Sequence, residues 1–142
     1  MTASAIERAV LVDSAVALYA LGDSEPQRTI CRALIEELAV ERGRAYASVE
    51  MVQEVVFHRL RRTGERERAV REGRLIASAM TILDFDREVL DLSLELIERA
   101  PSIRGRDAVH AATAIAYGIE TIASTDPAFD GIPGVVRFDP FA

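Results

Sequence analysis

Short apolar runs alternate with helical segments along this chain, and this alternation restricts its fold more than any other feature. The runs predict strands at 9–13, 45–48, 81–85, 119–124 and 134–139. Apolar residues at helical spacing predict a helix after Ser14 and further helices at 27–42, 49–62, 69–80, 87–99 and 107–118. Strands separated by such helices favour a mainly parallel sheet covered on both faces. We predict a three-layer α/β/α fold, with residues 1–142 forming a single domain of ordinary size.

Two polar or small residues mark predicted helix ends. Ser14 follows the first apolar run and is placed to cap the helix after it. Gly43 follows the helix at 27–42 and is a typical C-terminal stop signal. These signals support the division of the chain into strands and helices.

Composition and charge exclude several classes of protein. The net charge is −6, so the chain lacks the overall basic field of a protein that holds nucleic acid by charge alone. The single cysteine, Cys31, excludes an internal disulfide and a multi-thiolate metal site. Asp13 interrupts the apolar run near the N-terminus, and no uncharged stretch reaches the ~20 residues of a membrane helix. We expect a cytoplasmic protein with no membrane segment.

Acidic residues occur where predicted strands end. Asp13 ends the first strand, Asp126 follows the strand at 119–124, and Asp107 opens the helix before it. In parallel α/β sheets, ligands bind beyond the carboxyl ends of the strands, where the strand order reverses. If the strands at 9–13 and 119–124 are neighbours, three carboxylates converge at one edge of the sheet.

The helix at 49–62 offers two candidates for a fourth acid. Glu50 and Glu54 are one helical turn apart, so they lie on the same side of the helix. Glu54 is flanked by Val55 and Val56, which makes an exposed role less natural for it than for Glu50. Either side chain could reach the edge of the sheet.

Clustered carboxylates repel one another, and their pKa values rise unless a cation neutralises them. Mg²⁺ and Mn²⁺ suit such a site because they prefer carboxylate and water oxygens and commonly bridge protein to phosphate. One or two such ions would activate a water and offset charge on phosphorus, which suggests phosphodiester hydrolysis.

Each acid also has an ordinary structural explanation. Asp13 could begin a helix, and Asp107 could interact favourably with its helix dipole. Asp126 precedes Pro127 in a common turn pair, and Glu54 could be an exposed helical residue. The placement of the acids at strand ends favours a shared site over four separate explanations.

Three segments of the chain carry a resemblance to a known family. They are VLVDSAVALYAL at 10–21, SVEMVQEVVFHRL at 48–60 and RGRDAVHAATAIAYGIETIASTDPAFDGIPGVVRFDP at 104–140. In this order they resemble the PIN domain, most closely the VapC toxins of toxin–antitoxin pairs. The resemblance implies an Mg²⁺- or Mn²⁺-dependent endoribonuclease, dimeric, with RNA as substrate and a VapB-like antitoxin as partner.

The resemblance also assigns residues. The four acids of the family fall on Asp13, Glu54, Asp107 and Asp126, and the three aspartates are the implied metal ligands. The hydroxyl positions beside the first and fourth acids fall on Ser14 and Thr125, and an additional acid falls on Asp130. The chain departs from the family at Ala15, where many relatives have a polar residue.

The basic residues are all arginine, and seven of the 17 lie between Arg59 and Arg74. One interpretation is a solvated helical hairpin with i,i+4 ion pairs. The other is a contact with the RNA backbone, because guanidinium groups bind phosphate oxygens in a bidentate manner. The two histidines, His58 and His110, are expected to be structural, since a hard-cation carboxylate site requires neither.

Three alternative functions can be weighed. A receiver-type signalling domain also gathers acids at strand ends, but it uses a lysine near the phosphoryl group and this chain has no lysine. A haloacid-type phosphatase meets the same objection and lacks its second acid, since Ala15 stands two residues after Asp13. A catalytically silent PIN-like interaction domain would not require the complete acidic set.

Overall fold

The computed structural model describes residues 8–40 and 44–142. The strands in these ranges are β1 (Val10–Val12), β2 (Ala45–Ser48), β3 (Thr81–Leu83), β4 (Thr121–Ala123) and β5 (Val136–Phe138). The helices are α1 (Ser14–Leu21), α2 (Gln27–Val40), α3 (Val49–Thr63), α4 (Arg66–Ser78), α5 (Arg87–Arg99) and α6 (Gly105–Ala116), with a 3₁₀ turn at Pro127–Phe129. Within these ranges, no helix combines the length and the apolar character needed to cross a membrane.

The five strands form one parallel sheet in the order β3-β2-β1-β4-β5. The chain runs outward from β1 through β2 to β3, and the remaining strands extend the sheet on the other side. The strand order therefore reverses between β1 and β4, which is where a ligand site is expected in a sheet of this type. The predicted parallel α/β fold is confirmed.

Helices cover both faces of the sheet. Val10 and Val12 pack with residues of α1 and α2, including Val16 and Leu34. Leu11 points to the opposite face and packs with α6, as the two-residue period of a strand requires. Because β1 is apolar on both faces and fully buried, it holds the centre of a three-layer structure.

Helix α6 presents small side chains to the sheet. Ala108, Ala111 and Ala114 are fully buried beside Leu11 and Ile122. Alanine favours the helix and adds little bulk, so this helix can pack closely against the sheet. The first turn of α6 contains Asp107 and is thereby held near the end of β1.

Several predicted boundaries shift in the structure. Ser14 does not cap α1: the cap is Asp13, whose extended backbone lets its side chain accept from the Ser14 N–H at 2.8 Å. Asp107 lies inside the first turn of α6, which begins at Gly105. Four of the five strands are shorter than predicted, because residues at their predicted ends belong to loops, whereas β2 has its predicted bounds. The stop signal at Gly43 lies outside the described residues.

Helices α3 and α4 form a hairpin joined by ion pairs. Arg59 Nε lies 3.0 Å from Glu72 Oε2, and both side chains are largely buried. Arg68 binds the other oxygen of Glu72 at 3.1 Å and also contacts Glu65. Among residues 59–74, which the structure describes completely, no acid lies within ion-pair distance of Arg62, Arg66, Arg71 or Arg74. The hairpin thus combines internal ion pairs with unpaired exposed arginines.

Replacing Glu72 with alanine should destabilise the protein by about 3 kcal/mol, because it leaves the buried Arg59 charge without its partner. Urea denaturation at pH 7 measures this loss. The matched control is Glu65→Ala, which removes an exposed ion pair and should cost less than about 1 kcal/mol. Equal losses in the two variants would contradict a structural role for the buried pair.

Candidate metal centre

The pairing of β1 with β4 brings two of the acids together. Val12 lies opposite Ala123 in the parallel register, and the Asp13 N–H donates to the Ala123 carbonyl at 3.0 Å. The residues that follow each strand therefore emerge side by side. The strands that precede Asp13 and Asp126 are thus neighbours, which is the condition for the acids to converge.

Asp13 is the most buried acid of this group, with 3% of its surface exposed. Its Oδ1 accepts from the Ser14 N–H at 2.8 Å and its Oδ2 accepts from the Ser124 hydroxyl at 2.7 Å. Burial raises the pKa of Asp13, although the His110 charge and the two hydrogen bonds oppose this shift. Both carboxylate oxygens are thus fixed in orientation.

His110 lies beneath the acids and is fully buried. Its Nε2 is 2.6 Å from Glu54 Oε1 and 3.8 Å from Asp13 Oδ1, while its Nδ1 is 2.8 Å from Ser48 Oγ. Burial alone would lower the pKa of His110, but the Glu54 hydrogen bond and the Asp13 charge raise it above its ordinary value. A hydrogen bond from Nε2–H to Glu54 Oε1 accounts for this upward shift of the His110 pKa.

Asp107 completes the cluster from the first turn of α6. Its side chain is half-buried, and burial together with the Asp13 charge raises the pKa of Asp107 to about 6. The charges of Asp126 and Glu54 raise this pKa further, and the His110 charge opposes them. Asp107 therefore lies in the combined negative potential of the other acids.

One oxygen each from Asp13 and Asp107 and one nitrogen of His110 lie within 4.8 Å of one another. By distance alone, all three residues could ligate a metal ion. However, His110 Nε2 is already committed to Glu54 at 2.6 Å. The carboxylates are therefore the candidate ligands, whereas the imidazole is occupied by its contact with Glu54.

Asp126 has a local structural contact as well as a place near the cluster. Its Oδ1 accepts from the Ala128 N–H at 2.9 Å, which caps the 3₁₀ turn after Pro127. Its own N–H donates to Ser124 Oγ at 3.0 Å. Asp126 therefore stabilises the turn and also lies close enough to Asp107 for its charge to act on that carboxylate.

The structure distinguishes the two glutamates of α3. Glu50 Oε1 lies 3.0 Å from Arg106 Nε, so its charge is neutralised by a neighbouring cation. Glu54, one turn later, contacts His110 at the centre of the site. The geometry favours Glu54 as the acid of the cluster.

The hydroxyl that orients a carboxylate belongs to Ser124, whereas the resemblance had pointed to Ser14 and Thr125. The register explains this difference, because pairing Val12 with Ala123 makes Ser124 the direct neighbour of Asp13. Ser14 contributes its backbone N–H to Asp13. Thr125 lines a cavity between α1 and α3.

Asp130 forms an ion pair with Arg137 and does not belong to the acidic cluster. Its two oxygens accept from Arg137 Nε and Nη2 at 2.9 and 3.0 Å, and these hydrogen bonds lower the pKa of Asp130. Arg137 also donates to the Ser124 carbonyl at 3.3 Å. Asp130 thus ties the loop before β5 to the strand itself.

Sequence reasoning missed two residues of the site, His110 and Ser124. His110 lies three residues after Asp107, so the helical period already placed it on the side of the first turn that faces the site. A general-acid or metal-ligand role for His110 was not expected, because a hard-cation carboxylate site requires neither. Ser124 could have been found only by assuming the β1–β4 register. His58, the other histidine, is exposed on α3.

Comparison with known proteins identifies the family. The PIN domain family profile matches residues 10–135. Ribonuclease VapC7 of Mycobacterium tuberculosis is 34% identical over 140 residues, covering 94% of this chain and 92% of that protein. Ribonuclease VapC13 of the same organism is 28% identical over 130 residues, covering 90% of this chain and 98% of that protein.

Solved structures have the same fold at lower sequence identity. A toxin–antitoxin complex from Klebsiella pneumoniae matches with a TM-score of 0.70 at 20% identity, covering 93% of this chain and 98% of that chain. VapC20 of Mycobacterium tuberculosis matches with a TM-score of 0.66 at 17% identity, covering 87% of this chain and 91% of that chain. With its sheet order, acidic cluster and sequence relatives, this chain belongs to the PIN domain family, in its VapC branch.

Proposed function

We propose that this protein is a metal-dependent endoribonuclease, the toxin component of a toxin–antitoxin pair, acting as a single nuclease domain. The observation that carries the proposal is the cluster of Asp13, Glu54, Asp107 and Asp126 at the point where the strand order reverses. The relatives VapC7 and VapC13, both named ribonucleases, support RNA as the substrate. Hydrolysis of an RNA phosphodiester bond is the chemistry that such a site serves.

The chemistry of the acidic residues fits a hard divalent cation, Mg²⁺ or Mn²⁺. Asp13 and Asp107 both have raised pKa values, so their ionised forms lack sufficient positive charge nearby. Carboxylate oxygens are the ligands that these ions prefer. We assign cation binding to Asp13, Asp107 and Asp126. When bound, the cation would activate water and stabilise negative charge on the phosphate.

Supporting residues fix the acids before any ligand binds. Ser14 and Ser124 hold the two oxygens of Asp13, and the Ala128 N–H holds one oxygen of Asp126. Side chains that are already ordered lose less conformational entropy on binding, so such contacts favour affinity and correct geometry. Ser124 has a central role because its Oγ joins the strand end of Asp13 to the backbone of Asp126.

His110 positions Glu54 in this proposal. The Nε2 proton is held against Glu54 Oε1, and the imidazole is buried beneath the acids. A positive or hydrogen-bonding group at this place keeps Glu54 directed toward the cluster and offsets part of the repulsion among the acids. Glu54 then completes or orients the ligand shell around the cation.

We extend the proposal to partners and compartment by analogy with the relatives. Solved structures that share the fold include complexes of VapC with VapB proteins, which supports a VapB-like antitoxin as partner. A homodimer and a cytoplasmic location follow from the same family relationship. The complete acidic set disfavours a silent PIN-like interaction domain, and the PIN family match disfavours a receiver-type signalling domain.

Replacing Asp126 with asparagine should lower Mg²⁺- or Mn²⁺-dependent cleavage of RNA by about 100-fold or more, because charge stabilisation by a catalytic cation contributes several kcal/mol. The same result is expected for Asp13→Asn. In both variants the amide oxygen can still accept the capping hydrogen bond, so the fold should persist. Cleavage of a labelled RNA, with metal and with chelator, measures the effect.

The control for this experiment is Asp91→Asn, which removes an exposed acid of α5 that pairs with Arg87. This variant should cleave RNA at the wild-type rate. Full activity of Asp126→Asn, or an equal loss in the Asp91 control, would refute the assignment of the site.

Replacing Asp107 with asparagine should stabilise the metal-free protein by about 1 kcal/mol at pH 7, after allowance for solvent screening of this half-exposed group. The pKa of Asp107 in the folded protein, about 6, exceeds the ordinary value of 3.8, so the folded protein binds more protons than the unfolded chain between these pH values. The free energy of unfolding therefore falls as the pH rises from about 4 to about 6. Above pH 6 the ionised Asp107 destabilises the folded protein to its full extent.

Urea denaturation with chelator from pH 4 to 8 tests this linkage. The wild type and Asp107→Asn should converge in stability near pH 4, where the carboxyl group of Asp107 is protonated in the folded state, and differ most at pH 7. Added Mn²⁺ should stabilise the wild type more than the variant. A variant that is less stable than the wild type at pH 7 in chelator would contradict the repulsion argument.

A further inference from the structure

A cavity of about 320 Å³ lies between α1 and α3. Ala15 and Thr125 line it, and these residues lie two positions after Asp13 and directly before Asp126. The cavity therefore lies next to the chain segments that carry the acids. Its size is suited to a small group and is much too small for a folded partner element.

The α3 side of the cavity carries the guanidinium charge of Arg62. His58 and Arg62 line it and are exposed one helical turn apart. Within residues 8–40 and 44–142, no acid lies within ion-pair distance of either side chain. Arg59 also lines the cavity, but its guanidinium group is held by Glu72. Arg62 is thus the guanidinium group that is available for an anion at this cavity.

The α1 side of the cavity is apolar and its rim is polar. Leu18 and Tyr19 form the apolar wall, and the Tyr19 ring is fixed by an edge-to-face contact with Phe141 at 5.3 Å between centroids. Asp23 and Ser24 lie at the rim and offer a carboxylate and a hydroxyl group. An apolar wall, a polar rim and a free guanidinium group are together suited to a base, its polar edge and a phosphate.

We propose that this cavity binds one unpaired nucleotide of the RNA substrate, next to the phosphate that is cleaved. Arg62 and His58 bind its phosphate, Leu18 and Tyr19 contact the base, and the rim at 23–24 discriminates among bases. The inference rests on the proposed ribonuclease function. It adds the residues that would give the enzyme a preference for particular RNA sequences. Among the exposed arginines of the α3–α4 hairpin, it singles out Arg62.

The test compares Arg62→Ala with Arg71→Ala, a matched control on the exposed surface of α4. The probe is a fluorescent 12-nucleotide single-stranded RNA of mixed sequence, and binding is measured by anisotropy in chelator so that no cleavage occurs. Arg62→Ala should weaken binding about tenfold, as expected for one charge-assisted contact, and Arg71→Ala less than twofold. Equal effects of the two substitutions would overturn the proposal.

Competition and crosslinking identify what the cavity recognises. Adenosine and uridine monophosphates should displace the RNA more effectively than inorganic phosphate at equal concentration. RNA that contains 4-thiouridine should crosslink to the segments at 15–24 or 58–62. Displacement by phosphate alone to the same extent, or crosslinks confined to other surfaces, would show that no base is bound here.

The same proteins separate this inference from the proposed function. If the wild type cleaves RNA with Mg²⁺ or Mn²⁺ while Arg62→Ala binds RNA like the control, the nuclease function stands and the cavity proposal fails. If RNA binds and crosslinks at the cavity but neither metal supports cleavage, the binding site stands and the nuclease function fails.

Discussion

The parallel register between β1 and β4 is the constraint on which the rest of the site depends. It places Val12 opposite Ala123, so the next residues, Asp13 and Ser124, become neighbours that share a hydrogen bond of 2.7 Å. Asp126 then follows within the same turn, and its N–H is held by Ser124. A slip of one residue would direct these side chains to the opposite face of the sheet. The apolar residues of the two strands thus determine where the acids meet.

The acids of the site also have roles in the local structure of the chain. Asp13 caps α1 and Asp126 caps the 3₁₀ turn, so each carboxylate satisfies backbone donors at the start of a helical segment. The ordinary explanations for these residues are therefore correct and do not exclude a site. A carboxylate that caps a helix is already fixed in direction, which is also what a metal ligand requires. The hydrogen bonds that stabilise the fold would therefore also orient the carboxylates for the proposed cation.

The sequence was sufficient to predict the layered fold and the convergence of the acids, because both depend on periodicity and chain order. Alternating apolar runs and helices indicated the parallel sheet, and the strand ends indicated Asp13 and Asp126. The role of Ser124 and the contact of His110 with Glu54 could not be predicted from the sequence, because they depend on strand register and on packing between α3 and α6. The choice between Glu50 and Glu54 likewise needed the position of Arg106, which neutralises Glu50 at 3.0 Å. Contacts between residues distant in the chain were the information that local patterns lack.

The alanine-rich face of α6 sets the dimensions of the site from a distance. Ala108, Ala111 and Ala114 lie between the helix backbone and the sheet, and their methyl groups determine how far the helix axis stands from β1. Asp107 and His110 belong to α6, whereas Asp13 directly follows β1. The distance between the carboxylates of Asp13 and Asp107 therefore depends on the size of the alanine side chains in the core. Replacing one buried alanine of α6 with a larger residue would therefore change the spacing of the acids without altering any residue of the acidic cluster.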